Sequence, residues 1–291
     1  MDFLSYFING LGLGSVYAII ALGYTMVYGI AKMLNFAHGD VIMVGAYVAF
    51  FAVNSFHLPL IPSTLLSVLI CAILGVVVEG LAYRPLRSAS SLSVLITAIG
   101  VSYFLQNAAQ LLWSSAPKVF PSVFPSGGIA LGDSTVSYLT IITIAVCVLV
   151  MACLTAFINK TSTGRAMRAC SEDKGAAALM GINVNRIISI TFAIGSGLAA
   201  VAAILLSATY PSISPTLGAM PGIKAFTAAV FGGIGSIPGA FLGGLLLGVI
   251  EIFAKAYLST QLSDAIVFAV LIVVLLIKPS GLLGKVRREK V

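Results

Sequence analysis

The chain has 291 residues, 59% of them hydrophobic and only 9% charged, with a mean hydropathy of +1.10. Soluble domains run near a quarter charged, so this composition excludes a soluble globular fold and indicates an all-α polytopic membrane protein. The net charge of +7 does not speak for nucleic acid. The basic residues cluster beside apolar spans, which is the positive-inside pattern with anionic lipid as counter-charge.

A crossing helix needs about 20 apolar residues to cover about 30 Å of hydrocarbon. The first predicted span runs from Phe7 to Ile30. No basic segment or cleavage site accompanies it and it is too long for a signal peptide, so it is expected to be a retained span. A polar interruption follows at Lys32–Asp40 (K-M-L-N-F-A-H-G-D), then a short apolar run, Val41–Val53. Leu60–Tyr83 and Leu92–Trp113 are full spans, separated by Arg84-Pro85-Leu86-Arg87. A polar, Pro/Ser/Gly-rich connection occupies Ser114–Ser137, and the fifth span is Tyr138–Ile158.

The segment from Asn159 to Arg186 is a polar island. It holds Lys160, Arg165, Arg168, Glu172, Asp173, Lys174 and Arg186. Ser171 reads as a helix cap, with Glu172 and Asp173 in the first turn, where carboxylates suit the positive end of the helix dipole. Ala176, Ala177 and Ala178 propagate that helix, and Gly181 closes it in the left-handed conformation before Ile182. A capped, charged helix between two apolar spans is a candidate docking element.

Ile187–Tyr210 is the sixth span. From Pro211 to Lys255 the pattern is irregular, with apolar runs at Phe226–Phe231 and Ala240–Ala254 flanking G-G-I-G-S-I-P-G at Gly232–Gly239. Two full spans do not fit there, and the segment is expected to be a re-entrant helical hairpin or one broken span. Leu262–Ile277 is the last span, followed by a basic tail with Lys278, Lys285, Arg287, Arg288 and Lys290. The total is about eight membrane-embedded helical segments in a single domain, residues 1–291. Placing Arg84 and Arg87, the Asn159–Arg186 loop and the tail in the cytoplasm leaves the N-terminus and Ser114–Ser137 outside. A hairpin that enters and leaves on the outer side is consistent with that path.

The segments Met43–Val48 and Ile237–Leu242 echo one another, each after a broken stretch. This reads either as an internal repeat of the kind that frames transport pathways, or as chance in so apolar a chain. Among ionisable groups, His38 beside Asn35 and Asp40 is either a functional group at membrane depth or part of a polar loop crossing the interface. His57 reads as a solvated turn residue. Glu79 reads as structural, and Glu251 with Lys255 as an i,i+4 ion pair. Ser102, Gln106 and Gln110 form a polar stripe that either lines a wet path or bonds neighbouring helices. Gly235, Gly239 and Gly243, and Gly244 with Gly248, read as close-packing faces. Cys71, Cys147 and Cys153 read as small core residues, and Cys170 forms no C-x-x-C pair with any of them. No catalytic constellation, metal-ligand spacing or phosphate-binding G-x-x-x-x-G-K-[ST] occurs, so no enzyme activity or cofactor is expected in this chain. A stand-alone carrier driven by an ion gradient is the rival reading, and an integral-membrane enzyme a remoter one.

Several motifs together carry a resemblance. Gly14, Tyr17, Ala18, Ala21–Gly23 and Thr25–Ile30 open it, followed by N-F-A-H-G-D at Asn35–Asp40 and G-A-Y at Gly45–Tyr47. Y-R-P-L-R at Tyr83–Arg87, G-R-A-M-R-A at Gly164–Ala169, the Asp173, Ala176, Ala177, Met180-Gly181-Ile182 pattern and F-G-G-I-G-S-I-P-G-A at Phe231–Ala240 continue it. Over essentially its whole length the chain resembles the LivH-type permeases of branched-chain amino acid ABC transporters. Related permeases for urea and short amides share most of these motifs. The resemblance implies an ABC importer permease fold in a bacterial cytoplasmic membrane. The implied partners are a second, paralogous permease, two cytoplasmic ATPase subunits carrying ATP and Mg, and an extracytoplasmic substrate-binding protein. It also implies a coupling helix in the 159–186 loop. There Gly164, Arg165, Arg168, Glu172, Asp173, Ala176, Ala177, Met180 and Gly181 would engage the ATPase. Asn35, Phe36, His38, Gly39, Asp40, Ser102, Gln106, Gly235 and Gly239 would lie along the translocation pathway.

Overall fold

A computed structural model describes residues 2–87, 89–131 and 134–284. The N-terminal elements are α1 (Asp2–Ala31), α2 (His38–Asn54), α3 (Leu60–Val78) and α4 (Ser91–Trp113). A π-helical turn, Glu79–Tyr83, and a 3₁₀ turn, Arg84–Leu86, extend α3. Then come the strands β1 (Lys118–Val119), β2 (Gly128–Leu131) and β3 (Ser134–Ser137), and the helices α5 (Tyr138–Lys160), α6 (Ser162–Glu172), α7 (Lys174–Leu179) and α8 (Val184–Thr209). Strand β4 (Ser212–Ile213) precedes α9 (Ala219–Gly232), α10 (Ile237–Tyr257) and α11 (Ser263–Ile277). Among the described residues, six helical segments are long and apolar enough to cross a membrane: α1, Leu60–Leu86, α4, α5, α8 and α10. The helices α2 and α11 are shorter apolar segments.

Two expectations are corrected. Ser114–Ser137 is not merely a polar connection, because β2 and β3 form an antiparallel hairpin, with Gly128 opposite Ser137, and β1 pairs antiparallel with β4. The region after Pro211, expected to be a re-entrant helical hairpin or one broken span, is a hairpin of unequal arms, of which α9 has 14 residues. Helix α10 has 21 residues, enough for a full span, because the apolar pattern continues past the Glu251–Lys255 pair to Tyr257. The tail residues Lys285, Arg287, Arg288 and Lys290 lie outside the described residues.

The chain divides into two compact units. One comprises Met26–Pro125 and Ala152–Ile223. In it α3 packs against α2 and α8 through small residues. A side chain at Gly75 would run into Ser196 and the carbonyl of Phe192, and one at Gly45 into the backbone of Ala200. The Ser67 hydroxyl donates to the Gly45 carbonyl at 2.9 Å. In hydrocarbon there is no aqueous driving force between helices, so this close approach and interhelical hydrogen bonding take its place. A buried cluster of Val27, Ala31, Met33, Val78, Tyr83, Val94, Ala98, Ile188 and Phe192 fills the interior. The outer face of α3 shows Ile61, Leu65, Leu69, Ile73 and Val77, an exposed apolar stripe at helical spacing suited to lipid.

The other unit comprises Met1–Thr25, Ser126–Met151 and Lys224–Val291. Here α1 lies against α10 with almost nothing between the backbones. A side chain at Gly248 would meet the backbone of Gly14, and one at Gly244 the backbone of Ala18. Helices α9 and α10 form a hairpin whose turn uses positive φ at Gly233 (108°) and Gly235 (93°). Ser236 caps α10 by accepting from the Gly239 N–H at 3.2 Å. The carbonyls of Phe231 and Gly232, left unsatisfied at the end of α9, accept from Leu282 N–H and Leu283 N–H at 2.9 Å each.

The α1–α10 contact makes Gly248→Val a severe change, because the added carbons meet backbone that cannot rotate away. We expect it to lower stability by about 3 kcal/mol, the upper range for overpacking. Gly100→Ala, where the new methyl has open space, should be neutral or slightly stabilising. Thermal unfolding in detergent reads both, and equal midpoints for the two variants would refute the close-contact argument.

Candidate functional site

The 159–186 segment folds as two helices where the sequence suggests one. Thr161 caps α6 by accepting from the Gly164 N–H at 3.0 Å. Gly164, Met167 and Cys170 form the buried face of α6, and Arg165 and Arg168 the exposed one. Gly164 sits against the carbonyls of Phe157 and Ile158, where a side chain would collide. The Arg168 guanidinium donates to Asn159 at 2.8 Å and so braces α6 against the end of α5.

Ser171 is not the cap of the next helix. Its hydroxyl donates back to the Arg168 carbonyl at 2.7 Å, and Ser171 and Glu172 complete α6. The cap is Asp173, whose carboxylate accepts from Gly175 N–H at 2.7 Å and Ala176 N–H at 3.0 Å. Burying Met167 and Cys170 draws α6 two residues further than local capping preference suggests, and the carboxylate of Asp173 then caps α7. At the far end Gly181 adopts φ 82°, its N–H donating to Ala178 and that of Ile182 to Ala177, each at 3.0 Å. This is the expected left-handed closure. Ala177 and Gly164 point inward and pack, so neither presents a surface to a partner. Ala176 and the paired residues Leu179 and Met180 are exposed, the last two at 90% and 82%. Burial, and after it the positive charge of Arg87, push the pKa of Lys174 down.

The break between α1 and α2 lies in the same unit. Lys32 takes a left-handed φ of 57° and ends α1. The Asn35 side chain accepts from the Tyr83 hydroxyl at 2.9 Å, and Phe36 packs on the cluster around Tyr83. His38 opens α2 and is buried, its backbone N–H donating to the Asn35 carbonyl at 3.2 Å. Gly39 lies against the backbone of Gly218. Asp40 is buried and accepts from the Gln106 amide at 2.9 Å, and Gln106 also donates to Ser102 at 3.2 Å. Seven predicted pathway residues therefore gather here, while Gln110 of the same stripe is exposed. Gly235 and Gly239 belong to the other unit. Gly235 is exposed in the α9–α10 turn, outside the packing face proposed for it, and Gly239 is buried against Gly232. Cys153 is exposed on α5, whereas Cys170 is buried, the reverse of what their neighbours in sequence suggest.

Two charged groups, Lys224 and Asp264, escaped the sequence reading. Lys224 of α9 is buried and pairs with Glu251 at 2.8 Å and Asp264 at 2.6 Å. Glu251 also accepts from the Lys255 ammonium at 2.6 Å, as expected, and from the Tyr17 hydroxyl at 2.9 Å. Only the i,i+4 member of this network is visible as spacing. The available signal was chemical: a lysine inside an apolar helix requires an acidic partner. Glu79 is likewise buried, paired with Arg87 and accepting from Ser189 at 2.6 Å.

Known proteins place this architecture. Residues 6–275 match the family of the branched-chain amino acid transport system permease component. The chain belongs to this family. It is 49% identical over 302 residues to the high-affinity branched-chain amino acid transport system permease protein BraD of Pseudomonas aeruginosa, covering 99% of this chain and 98% of BraD. It is 46% identical to the corresponding protein LivH of Escherichia coli K12, with the same coverage. In fold it resembles a chain of PsaBC from Streptococcus pneumoniae in complex with Fab, at a TM-score of 0.50 and 17% identity, over 96% of this chain and 93% of that one. The resemblance read from the motifs is therefore correct, and the protein is a multi-pass membrane permease component rather than a catalytic subunit.

For a permease component the buried network is a structural demand. Lys224→Met leaves Glu251 and Asp264 short of a partner, and we expect it to cost about 3 kcal/mol, as for other broken buried pairs. The double change Lys224→Met/Glu251→Gln should recover part of that loss. A single variant as stable as the parent in chemical unfolding would contradict the pairing. Asp40→Asn preserves an acceptor for Gln106 and should retain more transport than Asp40→Leu, and equal uptake by the two would contradict the hydrogen bond's role.

Proposed function

We propose that this chain is the permease subunit of an ATP-driven ABC importer that carries branched-chain, or other hydrophobic, amino acids across a bacterial cytoplasmic membrane. Its kinship with BraD and LivH over nearly the whole chain supports the substrate class. The observation that carries the mechanism is the α6–α7 element. A polar, capped helix pair holds Leu179 and Met180 almost fully exposed on α7, and Arg165 and Arg168 on the exposed face of α6. Large apolar side chains presented by so polar a segment suit the groove of a cytoplasmic partner.

In this reading ATP and Mg are held by two ATPase subunits, a paralogous permease completes the membrane part, and an extracytoplasmic binding protein delivers substrate. The N-terminus lies outside, and the Asn159–Arg186 loop and the tail lie in the cytoplasm. Side-by-side placement of Arg87 and Asn185, which are hydrogen bonded, supports one common face for the α3–α4 turn and that loop. The α9–α10 hairpin then enters and leaves on the outer side. Closure of the ATPases moves α6–α7 as a rigid body. The work done on the pathway comes from the different affinities of the partners for the inward- and outward-facing states.

Gly181→Val places a β-branched residue at positive φ and should distort the end of α7. Arg168→Glu removes the brace to Asn159 and reverses the charge facing the partner. Both should leave the protein folded but uncouple ATP hydrolysis from leucine uptake in proteoliposomes, and normal uptake by both would sink the assignment.

A further inference from the structure

The two regions assigned to coupling and to the pathway are joined by one half-buried cation. Lys174 is the first residue of α7, directly after the Asp173 cap. Its ammonium donates to the carbonyl of Ala31 at 2.6 Å, across 143 residues of sequence. Ala31 is the last residue of α1 and is fully buried. A surface lysine ordinarily keeps its ammonium in water. Here it is half-buried and answers the negative end of the α1 dipole, where a terminal carbonyl lacks an intrahelical partner. Beyond that carbonyl the chain turns at Lys32, reaches Asn35 held by Tyr83, and starts α2 with His38 and Asp40.

We propose that Lys174 is a positioning residue that ties the α6–α7 element to the carbonyl end of α1 and transmits its displacement to the break between α1 and α2. The proposal rests on the importer reading above. Displacement of α7 either carries the end of α1 with it or breaks a charge-assisted hydrogen bond in a poorly hydrated place, so the tie gives the loop a direct hold on the segment that contains Asn35 and Asp40. The location also explains the depressed pKa of Lys174, since burial and nearby Arg87 both oppose its charge.

The test uses the complete complex, with its ATPases and binding protein, in proteoliposomes, and measures leucine taken up per ATP hydrolysed. Lys174→Met keeps the aliphatic stem and removes the donors. It should assemble and hydrolyse ATP, while uptake per ATP falls about tenfold, the scale of one charge-assisted hydrogen bond. Lys174→Arg restores a donor and should recover most of the ratio. Arg84→Gln, a loss of charge at an exposed position in the α3–α4 turn, should leave the ratio unchanged. An unaltered ratio in Lys174→Met, or a Lys174→Arg variant as impaired as Lys174→Met, overturns the proposal. If Lys174→Met does not assemble, Lys174→Gln decides by the same ratio. Failure of the parental complex to take up leucine with ATP would instead reject the importer reading itself.

Discussion

Backbone contact at glycine is the constraint on which the structure depends. In the unit containing α10, Gly244 and Gly248 let α1 approach until main chain meets main chain at Ala18 and Gly14. In the unit containing α3, Gly75 and Gly45 do the same for α8. Without a hydrophobic drive between helices in lipid, dispersion at short range and hydrogen bonds across the interface must hold the bundle. The Ser67 bond to the Gly45 carbonyl forms where the glycine has removed the steric barrier. Bulky residues are therefore free to line the outer faces, as the Ile61–Val77 stripe does on α3.

Close packing also determines where charge can be buried. Glu251 and Glu79 are each almost fully inaccessible, and each has partners from more than one element. Glu251 accepts from α1, α9 and α10 through Tyr17, Lys224 and Lys255. Glu79 joins the end of α3 to α8 through Ser189 and is neutralised by Arg87. Such groups are costly singly and tolerable together, because each carboxylate leaves water only where cationic and hydroxyl donors already converge. They pin helices in register, in contrast to the non-directional apolar surface around them.

Helix ends are where the permease departs from regularity, and the polar side chains gather there. The break after Ala31 places Asn35, His38 and Asp40 in one buried region with Tyr83 and Gln106. The loop after α5 uses Thr161 and Asp173 to cap two short helices and Gly181 to close the second. A transporter that performs no covalent chemistry has use for this combination. In the importer mechanism proposed above, the helix pair is the handle and the polar interruption is the segment that changes conformation.

The sequence by itself determined the class of protein, the positions of five of the six long spans, the polar island and the family, because these follow from long apolar runs and from motifs contiguous in the chain. The left-handed closure at Gly181 and the Glu251–Lys255 pair were legible for the same reason: they are local. Only the tertiary structure decided that Asp173 rather than Ser171 caps α7, since burial of Met167 and Cys170 extends α6. It also decided that Gly164 and Ala177 pack inward, that the polar connection contains strands, and that α10 reaches span length. Lys224 meeting Glu251 and Asp264, Gln106 meeting Asp40, and Lys174 meeting Ala31 join residues 27 to 143 positions apart. Spacing carries no trace of such pairs, because helix packing and not helix periodicity brings them together.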